Sequence, residues 1–345
     1  MKKLTKYILC QFILLSVCLS AWAESAIVHH ADGTISNYDG DWSYYYAADN
    51  AVDGDTIFIS SGNFVYGYLA ASHCVVRGSG CGAVAPDASA DVAPTRVDGG
   101  WPCYGGCYNQ IEGIHFTGVG MSGEHNTFSK CWFESMTLSY DNGYYGSNNA
   151  FVDCVFQNLN FDSDGCVNNS FHNSLFLGVS YEVADDNGSR SFSNCVFVRG
   201  CAPKKSNATL TNCIFYEVEP REGWWDGASP FYSNQCKNCL MLTSSDQNFF
   251  ANAPESAGNV QLSADAVSTI FQDFDGTNEQ QSFMQLTNSA RTSYTDAFGE
   301  QIGLYGGLAP YSMKVKVPVQ IVDMYVVPVP ADQEVEVRAR IFQVN

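Results

Sequence analysis

Cations are scarce in this chain: 17 Lys and Arg stand against 36 Asp and Glu in 345 residues, a formal net charge of −19. Three of those cations fall in the first 23 residues, so the remainder carries 14 basic against 36 acidic residues, a net −22. Such a field repels polyanions, which excludes nucleic acid as a phosphate-backbone partner and disfavours acidic polysaccharide unless calcium mediates. Solubility of a long exposed surface is the plainer account of the charge. Charged residues of both signs make up only 15%, while aromatics reach 14%, a balance too apolar for a disordered chain. Beyond residue 19 no apolar run approaches the roughly 20 residues of a membrane span, so no transmembrane segment is expected after the start of the chain. Histidine is reduced to His29, His30, His73, His115, His125 and His172, scattered without the spacing of a triad or a metal site.

The start reads as a processing signal. Lys2, Lys3 and Lys6 are followed by a largely apolar Tyr7–Leu19 and by Ala21-Trp22-Ala23, a small-x-small cleavage site. A lipoprotein reading through Cys18 is weakened by Val17, where a small residue is usual. Residues 1–23 are therefore expected to be a signal peptide and the mature chain to be exported, to the periplasm, the cell surface or the medium.

What is abundant is a repeat. Phe128–Cys131–Phe133, Phe151–Cys154–Phe156, Phe171–Ser174–Phe176, Phe192–Cys195–Phe197, Leu210–Cys213–Phe215 and Cys236–Cys239–Met241 share one pattern, preceded by Ile111–Ile114–Phe116. The middle positions advance by 17 to 26 residues, a loose period near twenty that predicts a solenoid. Alternating apolar positions within each copy predict strands. The residue before each middle position is Lys130, Asp153, Asn173, Asn194, Asn212 or Asn238, and Asn tolerates the left-handed conformation of a sharp bend. The four Asn side chains are expected to bond to one another along the coil axis.

Twelve cysteines after the signal suggest a disulfide framework. The register argues otherwise for Cys131, Cys154, Cys195, Cys213 and Cys239, which should stack as a buried ladder of thiols. Cys103 and Cys107, in Trp-Pro-Cys-Tyr-Gly-Gly-Cys, are the local disulfide candidates. Upstream, residues 24–41 read as a polar leading segment and Trp42–Val52 as a short helix with Asp41 as N-cap. Strands are expected at Asp55–Ile59 and from Cys74, an Ala/Pro/Asp/Gly-rich loop at 81–100, and regular turns over about Asn109–Leu242. Residues 313–345 alternate apolar and polar over short runs, predicting two or three strands that pack on the end of the coil.

The chain resembles the right-handed parallel β-helix proteins of the pectate-lyase-like superfamily, in the exported form common in Bacteroidetes. The likeness rests on Ala51–Phe64 (Ala-Val-Asp-Gly-Asp-Thr-Ile-Phe-Ile-Ser-Ser-Gly-Asn-Phe), on the Asn-Cys-x-Phe turns with Ile111–Thr117, and on Gly299–Gly307. It implies an all-β solenoid over 24–312 with a short N-terminal helical cap and a small C-terminal β tail. It matches no particular enzyme family, and the Asn-Thr-Asp and Gly-Asp-Asp motifs of its polygalacturonase-like members are missing.

Candidate chemistry lies outside the repeat. Asp162, Asp164, Asp185 and Asp186 follow successive turns and are weak candidates for the paired carboxylates of glycoside hydrolysis. Solvated turn chemistry is the plainer account, and Asp162 with Asp164 are also weak Ca²⁺ ligands, the one cofactor the sequence suggests. A lyase needs a cationic base; Arg190 is the candidate, though surface charge accounts for it as well. Trp224, Trp225, Tyr144, Tyr145 and Tyr181 sit in the irregular segments beside Asp, Asn and Arg, where flat rings stack on sugars. The expected function is thus carbohydrate binding by an exported, monomeric β-helix. A polysaccharide lyase or glycoside hydrolase is the second reading, and a structural or adhesive surface protein the third.

Overall fold

A computed structural model describes residues 24–82, 93–161, 165–177, 189–200, 207–218, 234–246, 248–250, 257–274, 284–296, 298–313, 315, 320–327 and 336–342. The expected signal lies outside them, as do Asp162, Asp164, Tyr181, Asp185, Asp186, Trp224 and Trp225. Among the described residues no helix is long and apolar enough to cross a membrane.

The repeat builds a parallel β-solenoid of about eight turns, an all-β fold as its period predicts. Among the described residues, two long sheets of eleven and ten strands run along the axis, joined by a short third sheet of three. Phe128, Phe151, Phe171 and Phe192 stack in register in the first sheet. Phe116, Phe133, Phe156, Phe176, Phe197 and Phe215 do so in the second. Successive rings within a column lie 4.5–5.3 Å apart and nearly parallel. Across the interior the columns meet edge-on at 5.5–6.1 Å. Each such pair adds about 0.5–1.5 kcal/mol beyond the area it buries, so the Phe columns dominate the core.

The bends follow the sequence. Lys130, Asp153, Asn173, Asn194, Asn212 and Asn238 all adopt φ between +46° and +56°. Their side chains do not stack along the axis as expected. Asn173 Nδ2 instead donates to the carbonyls of Leu304 and Gly306, both at 2.8 Å, and the Asn212 carbonyl accepts from Gly303 N–H at 2.8 Å. The closing segment around Ile302–Gly307 is therefore pinned along the bend. A Cβ at Gly306 would stand 2.0 Å from the Gln301 carbonyl, which requires glycine there. With its neighbours this segment covers the outer face of the second sheet: Val155, Leu175, Val196, Ile214 and Leu240 are buried with Ile270, Phe271, Leu286 and Leu304 in a second apolar cluster.

The five ladder cysteines are all fully buried or nearly so. Each thiol approaches a carbonyl of the preceding coil: Cys154 Sγ meets Phe128 O at 3.5 Å, Cys195 Sγ meets Phe171 O at 3.4 Å and Cys239 Sγ meets Leu210 O at 3.4 Å. Ser174 fills the same position, accepting from Cys154 N–H at 3.2 Å and donating to His172 O at 2.9 Å. A small side chain with one donor is what the site requires, which explains the exchange of Cys for Ser. The bridge expected between Cys103 and Cys107 is absent: both are free thiols. Cys103 points into the core beside Asn109, whereas Cys107 is half-buried in a turn with its thiol 3.5 Å from Gly105 O.

A second ladder went unread in the sequence. Asn109, Asn126, Asn149 and Asn169, buried at the turn into the first sheet, each accept on Oδ1 from the N–H one coil before, at 2.8–3.0 Å: Cys74, Asn109, Asn126 and Asn149 in turn. Each Nδ2 donates to another turn carbonyl, those of Ala71, Gly106, Gly123 and Gly146, at 2.9–3.1 Å. Asn234 repeats the role for Ala208 N–H at 3.0 Å. Backbone groups that would otherwise be buried without partners are thus satisfied by side chains.

The N-terminal cap is more ordered than a polar leading segment. β1 (Ser25–His29) and β2 (Ile35–Asp39) form an antiparallel hairpin, and β1 pairs antiparallel with β3 (Thr56–Ile59), the first coil strand. β2 is therefore the edge of the first sheet. Helix α1 (Ser43–Asp49) forms where expected, but Asp41 does not cap it: Trp42 holds that position without a side-chain bond, and the Asp41 carbonyl accepts from Val65 N–H. The stretch read as a loop at 81–100 contains coil strands at Thr95–Val97 and Gly100–Trp101, so regular turns begin well before Asn109. Near the C-terminus, Gln320–Val327 and Glu336–Phe342 pair antiparallel.

Candidate functional site

The outer face of the short third sheet is the open one. Val119–Met121, Met136–Leu138 and Leu159–Phe161 stack in parallel, with alternate residues turned inward. Outward stand Gly120 and Thr137, flanked by Gly118, Ser135 and Ser139, and Trp101 closes one side; together these residues and Val119 line a groove of about 350 Å³. A Cβ at Gly120 would come within 2.9 Å of Trp101 Cη2, so glycine lets the indole lie across the strand. At one side Ser139 Oγ is buried and has no hydrogen-bond partner.

Further rings continue the surface. Trp101 meets Tyr104 edge-on at 5.6 Å, and Tyr104 lies 5.3 Å from Tyr68. Burial and the neighbouring Tyr104 push the Tyr68 phenol up from its ordinary pKa. Tyr45 lies 6.0 Å from Tyr66 and 5.8 Å from Trp42. Tyr144 and Tyr145, expected to bind ligand, form with Tyr140–Asp141 a short antiparallel hairpin. Tyr140, Tyr144 and Tyr145 are 51%, 46% and 37% exposed, which is costly for tyrosine without a partner. Asn142 Nδ2 of the hairpin donates to Tyr104 OH, and the Tyr144 ring rests against Gly105. The structure thus joins the expected tyrosines to Trp101, Tyr104 and Tyr68, which sequence reasoning passed over because Trp-Pro-Cys-Tyr was read for its cysteines.

Arg190 is a correction. It is 4% exposed, occupies the asparagine-ladder position of its turn, and lays its guanidinium 4.0 Å over the Phe161 ring with Nη2 3.4 Å from Cys166 O. A side chain enclosed in the coil meets no substrate. Asp162, Asp164, Asp185, Asp186, Tyr181, Trp224 and Trp225 lie outside the described residues. Among the described residues no three His, Cys, Asp or Glu side chains are placed to hold a metal ion.

One charged cluster stands at the margin of the covered face. His115 Nε2 lies 2.9 Å from Glu134 Oε1, Arg96 Nη1 3.4 Å from the same oxygen, and the imidazole stacks on Trp132 at 4.7 Å. Burial lowers the His115 pKa although Glu134 opposes it. No family model, curated protein or solved structure matches the chain.

Proposed function

We propose that the protein is an exported β-helix that binds uncharged glycan along the third-sheet groove, with Trp101 as the stacking platform and Tyr104, Tyr68 and the Tyr140–Tyr145 hairpin extending it. The observation that carries the reading is an indole packed against Gly120 beside a floor of Gly, Ser and Thr. Such a floor offers hydroxyls and close approach while the ring supplies an apolar face, the combination a sugar presents in complement. The described groove lining carries no carboxylate, Lys, Arg or His. That favours binding over bond cleavage, which needs an acid and a base, and with the acidic surface it favours neutral sugars over uronates. The leader-like first 23 residues support export to a compartment where polysaccharide is met.

Affinity electrophoresis against neutral and uronate polysaccharides tests this. Retardation by a neutral glycan that falls at least tenfold in Trp101→Ala, about 1.4 kcal/mol, supports the reading. Equal retardation of the variant, or none of the native chain by any glycan, refutes it.

A further inference from the structure

Three side chains at the N-terminal cap serve neither the coil repeat nor the groove. Asp55, at the start of β3, is fully buried and accepts from three donors: Ala31 N–H at 2.9 Å on Oδ1, and Val52 N–H at 3.0 Å and His30 Nδ1 at 2.8 Å on Oδ2. On the other side of the same imidazole, His30 Nε2 lies 2.9 Å from Ser36 Oγ in β2. The His30 side chain is 18% exposed and Ser36 is half-buried, whereas Asp55 is fully buried.

We propose that Ser36, His30 and Asp55 are a nucleophile, its base and the acid that orients the base, and that they hydrolyse small carboxylic esters. Such a constellation is recognised by geometry and roles, independent of fold and of order along the chain. Here both outer distances fall within the reach required of a nucleophile and its base. Asp55, held ionised by two backbone donors, accepts a hydrogen bond from His30 Nδ1–H and so fixes the tautomer. That leaves the Nε2 lone pair facing the Ser36 hydroxyl.

In the reaction Ser36 Oγ bonds to the ester carbonyl carbon as its proton passes to His30 Nε2. The tetrahedral oxyanion collapses, the C–O bond to the alcohol breaks, and the leaving oxygen takes the proton from Nε2. Water then attacks the acyl-Ser36, giving its proton to Nε2. Release of the carboxylic acid returns that proton to Ser36 Oγ.

A clasp that merely ties the hairpin to the coil needs Asp55 with Ala31, Val52 and His30, and has no use for Ser36. That difference makes the test. The full chain is treated with a fluorophosphonate probe, which phosphonylates an activated serine with loss of fluoride, and separately with p-nitrophenyl acetate. The expected result is a single adduct mapped to Ser36 and ester hydrolysis that falls at least about 100-fold in Ser36→Ala and in His30→Ala. Ser36→Ala keeps the Asp55 clasp, so its unchanged thermal melt certifies the fold. No adduct at Ser36, or hydrolysis by folded Ser36→Ala at the native rate, overturns the proposal. Neither result bears on glycan binding at the groove.

Discussion

Replacing Asn149 by alanine should show what the asparagine ladder contributes. Its Oδ1 accepts from Asn126 N–H at 2.8 Å and its Nδ2 donates to Gly123 O at 3.0 Å, and the side chain is 1% exposed. The truncation strands one donor and one acceptor inside the turn. Leaving a buried polar group unsatisfied costs ~1–3 kcal/mol, so the pair predicts roughly 3 kcal/mol. A solenoid couples mainly neighbouring turns, so the loss should be local rather than spread along the axis. Hydrogen exchange reads it directly: the Asn126 amide should exchange roughly 150-fold faster, since 1.4 kcal/mol is a factor of ten. Amides in the turn at Asn234, several coils away, should change little. An Asn126 amide protected as in the native chain would refute the reasoning and mean that water satisfies the turn.

Asn173→Ala removes both bonds to the closing segment at Leu304 and Gly306. It should expose 302–313 to limited proteolysis at a protease level that leaves the native chain intact, and unchanged digestion would count against the strap. Free, buried ladder cysteines predict unreactive thiols: Cys131, Cys154, Cys195, Cys213 and Cys239 should react with a thiol reagent only after denaturation, while half-buried Cys107 reacts in the native protein. Disulfide-linked peptides joining ladder positions would contradict this. Burial lowers the pKa of His115 and of His172 in the folded chain. The unfolded chain therefore takes up protons first, and stability present above about pH 6.5 is lost as pH falls through the folded values. The Asp55 pKa is also lowered, because backbone donors outweigh burial, so a second loss follows below about pH 4. Urea midpoints that rise from pH 8 to pH 5 would contradict the sign.

The repeat was legible because burial and period coincide: only an inward column can hold Phe and Cys at the same step through six turns. The bends at Asn173, Asn194 and Asn212 were legible for the same reason, although what the Asn173 side chain bonds to was not. That depends on Leu304 and Gly306, more than a hundred residues away. The buried ladder was missed despite a signal. Asn126-Thr-Phe128, Asn149-Ala-Phe151, Asn169-Ser-Phe171 and Asn234-Gln-Cys236 all place Asn two residues before an inward apolar position. Arg190-Ser-Phe192 and Ala208-Thr-Leu210 break the series, which hid it among ordinary turn residues. The cap cluster had no such signal. His30, Ser36 and Asp55 have no common spacing, and only the β1–β2 hairpin against β3 brings them together.

The coil also limits where a ligand can be held. Its interior is filled by rings and thiols, and the outer face of the second sheet is occupied by the closing segment. Over its middle coils the first sheet turns outward Thr127, Ser129, Ala150, Ser170, Ser191 and Thr209, small residues that give little relief. Relief arises where strands are short or where glycine interrupts them. Gly118 and Gly120 open the third sheet beside Trp101, and the β1–β2 hairpin brings Ser36 to the edge of the first sheet beside His30. Both candidate sites therefore belong to departures from the repeat, and a substitution inside an inward column should change stability with little direct effect on either.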